Sequence, residues 1–177
     1  MKRVYNFFAG PSTLPLEVLQ KMEKDFVDYQ GSGLSLIETS HRSAEYDLVH
    51  NRAVDLTKQL LGITDSHSVM MIQGGATMQF GMIPMNLILN NERTAAYVNT
   101  GAWAKKAIAD AKKIGKVEVI WDGAENKFMN LPAVSDLEIP GDATYLHMTS
   151  NETIGGIQFQ EWPDTDVPIV ADMSSDI

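Results

Sequence analysis

Five apolar runs in this 177-residue chain end in a polar residue: Gln73, Thr100, Asp122, Ser150 and Asp172. The run VPIVADMSSDI reads as a buried strand, Val167 to Ala171, that delivers Asp172 at its carboxyl end. In open parallel α/β sheets, chemistry collects just beyond the carboxyl ends of the strands. Polar strand ends also arise simply because loops follow, so each needs its local context. A carboxylate at the end of a buried strand is costly unless paired. The partner for Asp172 is a backbone N–H, a metal or a protonated ring nitrogen. The metal is the weakest choice, because no second carboxylate or histidine lies at ligand spacing.

Three further stretches share this placement. In IQGGATMQF, two glycines follow a strand and open a helix. A helix N-terminus offers unpaired N–H groups and the positive end of a dipole, and so can hold a phosphate. The stretch fits neither the dinucleotide fingerprint nor the P-loop, and a tight strand-to-helix turn explains it equally well. In VNTGAWAKKA, Trp103 sits at the mouth of a helix just past Gly101. Core packing is the ordinary use of such a tryptophan; a flat face for stacking on an aromatic ligand is the other. In HMTSNETIGG, Thr153 lies past a strand end, where a hydroxyl donates to a ligand oxygen or closes a turn. A phosphate cradle, a stacking face, a hydroxyl and a carboxylate together suit a planar, phosphorylated, basic heteroaromatic ring. Pyridoxal 5′-phosphate has those groups, and its chemistry needs an acid beside the pyridine nitrogen.

The elements that must position these residues follow from periodicity. Residues 1–13 are irregular, and a helix is expected from about Leu14, capped by Thr13, with Leu19, Met22, Phe26 and Tyr29 on one face. A second is expected from Ala44 to Leu61, stopped by Gly62. Then SVMMIQ reads as a strand, GGATMQFGMIPMNLIL as a loop entering a helix and TAAYVNT as a strand. AWAKKAIADAKKIG reads as a helix ending at Gly115. KVEVIWD, ATYLHMTS and VPIVADMS read as three more strands, and GGIQFQ as a short antiparallel one. Strands alternating with helices imply an α/β fold with a mainly parallel sheet and flanking helices.

Composition narrows the classes. Hydrophobic residues at 44% and charged residues at 21% are ordinary for a globular chain. A net charge of −9 argues against a nucleic-acid partner. It also means that an anionic ligand must be held by local cations or backbone N–H groups. No cysteine is present, which excludes disulfides and thiolate metal sites and fits a reducing, cytoplasmic setting. No signal peptide or membrane-spanning run is visible, so no membrane partner is expected.

NFFAGPSTLP, SHRS, QGGATMQF, NTGAW, SNETIGG and ADMSSDI occur in this order. Their order and spacing resemble the phosphoserine aminotransferases, a branch of the class V aminotransferases within the fold-type I pyridoxal-phosphate enzymes. The resemblance covers essentially the whole chain. SNETI with SHR is specific to this branch; the glycine turn is generic. The resemblance implies that Ala76 and Thr77 contact the cofactor phosphate. It implies that Trp103 stacks on the ring, Thr153 approaches the ring hydroxyl and Asp172 pairs with the ring nitrogen. His41 and Arg42 would bind the anionic side of the substrate, where an arginine fork suits carboxylate and phosphate. Ala9 would make a backbone contact to substrate.

The resemblance further implies a cytoplasmic homodimer of serine biosynthesis. Its small-molecule substrates would be phosphoserine, glutamate, 2-oxoglutarate and 3-phosphohydroxypyruvate. The family's Schiff-base lysine lies shortly after the ADMSSDI motif, and no lysine here sits at a matching strand end. The chain is therefore expected to be the front part of a larger enzyme and inactive alone. Residues 1–15 would pack with a C-terminal domain, and residues 16–177 would form an incomplete cofactor-binding domain. Two other readings are another class V transfer, such as alanine–glyoxylate, which does not need the His41–Arg42 pair, and a non-catalytic chain completed by a second polypeptide.

Overall fold

Leu19, Met22 and Phe26 recur at helical spacing, and the helix that carries them, α1, spans Leu16–Val27 in the computed structural model. The structure describes residues 3–89 and 92–177. They fall into two compact units, Met1–Met71 and Ile72–Ile177.

In the first unit, α1 starts two residues later than the expected Leu14. Its N-cap is Pro15, with no side-chain cap. The Thr13 hydroxyl, the expected cap, donates instead to the Asn6 carbonyl at 3.3 Å. None of α1 is buried, so its apolar stripe faces outward. The second helix, α2, runs over the expected Ala44–Leu61. The Ser43 hydroxyl accepts from the Tyr46 N–H at 3.2 Å and satisfies one orphan donor of the first turn. Gly62 closes the helix at φ 63°, a left-handed geometry in which glycine carries no Cβ penalty. Between the helices, a capping box at Ser35 and Glu38 fixes a single 3₁₀ turn, Leu36–Glu38, ahead of the His41–Arg42 turn.

The second unit holds the sheet. Its elements are α3 (Gly75–Leu87), β1 (Ala95–Asn99), α4 (Ala102–Ala111), β2 (Val117–Asp122), β3 (Leu146–Thr149), β4 (Asn151–Glu152), β5 (Ile157–Gln158) and β6 (Ile169–Asp172). Four strands pair in the order β2-β1-β3-β6, all parallel. The antiparallel pair β4-β5 forms a small separate ribbon. GGIQFQ thus supplies a short antiparallel strand as expected, paired with residues expected to be loop.

Period-two alternation assigns the strand faces. Ala95 and Tyr97 of β1, with Tyr145 ahead of β3, pack against Phe80 and Ile88 of the α3 region and Ala107, Ile108 and Ala111 of α4. Ala96, Val98, Leu146 and Met148 point to the other face, where Leu137, Ala143, Phe159 and Val167 cover them. A strand covered on both faces must be apolar throughout, which is why TAAYVNT reads as an unbroken run.

Two expectations fail. SVMMIQ forms no strand; Met70 is 70% exposed and no described residue pairs with it. Apolar character makes a strand only where a neighbour completes the hydrogen-bond ladder. The final strand is Ile169–Asp172, shifted from Val167–Ala171, and it is only partly buried. Among the described residues it pairs on one side alone, with β3. In addition, α4 ends at Ala111, and residues 112–114 form turns before Gly115.

Candidate active site at the strand ends

The strand order creates the site. The chain leaves β1 through α4 towards β2 on one side, and β3 lies on the other side of β1. Loops that depart in opposite directions open a crevice at the carboxyl ends, the place where ligands bind in such sheets.

Asp172 closes β6, opposite Thr149. The Ser174 hydroxyl donates to Asp172 Oδ1 at 2.6 Å and the Ser174 N–H at 3.2 Å. Oδ2 has no hydrogen-bond partner among the described residues, so the carboxylate is anchored by one oxygen and free at the other. Asp172 borders a cavity of about 260 Å³ that Ala76, Phe80 and Ile83 of α3 and His147 also line.

His147 is 2% exposed and Nδ1 has no partner. Its ring stacks on Tyr97 with centroids 4.8 Å apart and meets Phe80 edge-on. Burial pushes this imidazole down to about 4, against the opposing pull of the Asp172 carboxylate. It is therefore neutral at ordinary pH and does not consume the Asp172 charge. Behind it, the Tyr97 and Tyr145 hydroxyls share a hydrogen bond of 2.7 Å. Burial raises both phenols, Tyr97 the more strongly, so this pair stays un-ionised. Thr149, one alternation beyond His147, also has an unpartnered buried hydroxyl.

The start of α3 is open. Its N-cap, Gly74, makes no side-chain cap and sits at φ 95°. A Cβ there would run into the Met78 side chain. Ala76 and exposed Thr77 lie in the first turn, where N–H groups have no helical acceptor.

Trp103 is the second residue of α4 and is 37% exposed. Its indole Nε1–H donates to the Thr153 hydroxyl at 3.0 Å. The β3–β4 segment is in turn tied to the residues after β6. Ser150 Oγ donates to the Asp172 carbonyl at 2.9 Å, and Asn151 Nδ2 to Ser175 Oγ at 3.0 Å. Ala76, Thr77, Trp103, Thr153 and Asp172 thus all belong to the second unit. Ala9, His41 and Arg42 belong to the first, where all three are exposed. The Arg42 backbone N–H donates to the Ser40 hydroxyl at 3.2 Å.

A planar, phosphorylated ring with a protonatable nitrogen fits this set. It needs an anion cradle, a flat neighbour and a carboxylate. The open α3 start, Trp103 and the Asp172 oxygen without a partner are the candidates for these, and the orphaned His147 Nδ1 belongs to a residue that lines the same cavity as Asp172. Three residues here have no part that the sequence alone assigns: Ser174, His147 and Glu152, whose Oε2 accepts from the Trp103 N–H at 3.1 Å. His147 is visible in hindsight as the lone imidazole inside the apolar run YLHM. Ser174 and Glu152 carry no signal beyond their place after a strand end.

The aminotransferase class-V family model matches residues 4–171. The phosphoserine aminotransferase of Niallia circulans is 51% identical over 177 residues, covering 99% of this chain and 49% of that protein. That of Geobacillus kaustophilus is 48% identical over the same length, covering 100% and 49%. Among solved structures, the phosphoserine aminotransferase of Bacillus circulans subsp. alkalophilus superposes with a TM-score of 0.94 at 50% identity, covering 99% of this chain and 48% of that one. A pyridoxal-phosphate-bound phosphoserine aminotransferase from Trichomonas vaginalis gives 0.83 at 32% identity, covering 99% and 49%. The chain spans about half the length of the curated relatives it matches.

Proposed function

Because the chain belongs to the class-V aminotransferase family, we propose that it supplies the cofactor-binding residues of a pyridoxal 5′-phosphate-dependent enzyme that moves an amino group between phosphoserine and 2-oxoglutarate. The observation that carries this reading is the Asp172 carboxylate, anchored on Oδ1 and free on Oδ2 at the edge of the cavity below α3. When bound, the cofactor supplies a protonated ring that withdraws the electron pair left as the amino acid loses its α-proton.

The chain's own residues do the rest. Asp172 Oδ2 accepts a hydrogen bond from the ring N–H and holds the proton there. Ser174 restrains the carboxylate, and neutral His147 fills the space beside it without adding charge. The backbone of Ala76 and the hydroxyl of Thr77 receive the phosphate at the start of α3. Trp103 covers a ring face and Thr153 meets the ring hydroxyl. Arg42, assisted by His41, holds the anionic end of the substrate, and Ala9 contacts it through backbone.

The net charge of −9 repels a phosphorylated substrate, so a dedicated cation is needed. Glutamate and 3-phosphohydroxypyruvate are the other members of the reversible pair. A cytoplasmic homodimer is the proposed assembly, with residues 1–15 packed against residues outside this chain. No lysine of the chain lies at a matching strand end. Amino transfer is therefore proposed for the complete polypeptide carrying these residues.

The test is transfer from phosphoserine to 2-oxoglutarate by that polypeptide and by its Asp172→Asn variant. An amide cannot balance a positive ring, so kcat should fall about a hundredfold or more while the far-ultraviolet circular dichroism is kept. Near-normal turnover in the variant would sink the assignment of Asp172. Faster transfer from a non-phosphorylated donor would move the reading to another class V activity.

A further inference from the structure

The second unit contains a carboxylate that the proposed chemistry leaves unused. Glu152 is 1% exposed, yet no lysine or arginine pairs with it among the described residues. It reaches across from β4 to the N-terminus of α4. Oε1 accepts from the Ala104 N–H at 2.8 Å and from the Thr100 hydroxyl at 3.4 Å; Oε2 accepts from the Trp103 N–H at 3.1 Å. The N-cap of α4 is Gly101, which has no side chain to do this itself. A Cβ on Gly101 would stand 2.8 Å from the Glu152 carboxyl, so the glycine makes room for a cap delivered from elsewhere in the sequence.

Two consequences follow. The first concerns the ring platform. Trp103 is held at its backbone N–H by Glu152 and at its indole N–H by Thr153, two successive residues of one segment. A tryptophan gripped at both ends cannot swing without breaking one of the two bonds. The second concerns charge. Helix α4 begins just past the end of β1 and α3 just past the irregular SVMMIQ run, and the first turn of each directs N–H groups at an anion. At α4 an internal carboxylate already occupies that position; at α3 no side chain caps the helix among the described residues.

Resting on the cofactor reading above, we propose that Glu152 is a positioning residue. It locks Trp103 and Thr153 into one rigid surface, and it closes the α4 N-terminus to the phosphate, which leaves the α3 start as the only open cradle of the two. Glu152 touches neither ring nor substrate; it acts through Trp103 and Thr153.

The test uses the complete polypeptide in its cofactor-free form. The Trp103 indole N–H, identified in nitrogen-15 spectra by its loss in Trp103→Phe, should already be protected from solvent exchange before any cofactor is added. In Glu152→Gln, which keeps the shape but sets an NH₂ group against one of the two N–H donors, exchange should rise at least about tenfold. The dissociation constant for pyridoxal phosphate should rise by a similar factor. Gly101→Ala pushes on the same carboxylate from the other side and should reproduce both changes.

A purely structural Glu152 would lower the melting temperature and leave indole exchange and cofactor affinity, both measured well below it, where they were; that result overturns the proposal. So does an unprotected indole in the unsubstituted protein, a measurement that needs no variant to fold. If the unsubstituted protein binds no cofactor yet shows the protected indole and its loss in Glu152→Gln, the positioning role stands and the cofactor reading falls.

Discussion

At the scale of single residues, the site is built from groups whose charge the fold has settled in advance. His147 shows how. Its folded value near 4 lies below the ordinary 6.5 because burial disfavours the imidazolium. Above pH 6.5 neither the folded nor the unfolded form is protonated, and His147 adds no pH dependence. As pH falls from 6.5 towards 4, the unfolded chain takes up a proton that the folded chain refuses. Stability contributed by the neutral imidazole is lost over that window, and the loss reaches about 3 kcal/mol at its lower end. Urea unfolding of the chain at a series of pH values should show this fall. His147→Leu should flatten the curve between pH 6.5 and 4 relative to the unsubstituted protein. Identical slopes for the two would mean that His147 is protonated in the folded state. The neutral His147 also matters for the proposed chemistry, because an imidazolium there would compete with the ring nitrogen for Asp172.

At the scale of elements, the glycine turns that open α3 and α4 decide which helix end is open. Gly74 is the position where backbone geometry and packing coincide: φ is 95°, and the space a Cβ needs is filled by Met78. Gly74→Ala should therefore cost about 1–3 kcal/mol, from the strained backbone alone or with some displacement of Met78. Urea titration read by circular dichroism would register it as a lower midpoint at unchanged slope. The same variant shifts the first turn of α3, so pyridoxal-phosphate affinity in the complete polypeptide should fall with it. A variant as stable as the parent would show that the turn relaxes freely and that the glycine is not required. Gly101 differs. Its backbone is extended, φ 163°, and its small size serves the Glu152 carboxylate rather than a backbone conformation.

At the scale of the whole molecule, no lysine of the second unit is among the described residues that wall the cavity. Lys105 and Lys106 are on α4, where Lys106 Nζ lies 5.6 Å from the centroid of the Phe80 ring. Neither lines the space bounded by Ala76, His147 and Asp172. The 177-residue chain should therefore bind pyridoxal phosphate weakly and without a site-specific covalent bond. Borohydride treatment of a mixture, followed by mass mapping, should give no dominant reduced adduct. A single adduct at one lysine in high yield would contradict this, unless it mapped to Lys105 or Lys106 on the α4 surface. Among the described residues no helix is long and apolar enough to cross a membrane.

The sequence by itself determined the alternation of elements from α3 onward, the parallel sheet and, within one residue, four of the five expected strand ends; Gln73 ends no strand. These follow from local periodicity, from glycine and proline punctuation and from unbroken apolar runs, all of which a linear chain records. Helix α2 illustrates it: Ser43, the apolar spacing and Gly62 are local signals, and they agree. Only the tertiary structure decided what depends on neighbours distant along the chain. SVMMIQ has strand composition but no partner strand among the described residues, so it stays irregular. Thr13 has capping chemistry, yet Asn6 takes its hydroxyl. Glu152 caps a helix that begins fifty residues earlier, which no window of sequence reveals. The physical reason is the same in each case: a hydrogen bond or a buried charge is satisfied by proximity in space, and spacing along the chain records only the part of that proximity that is local.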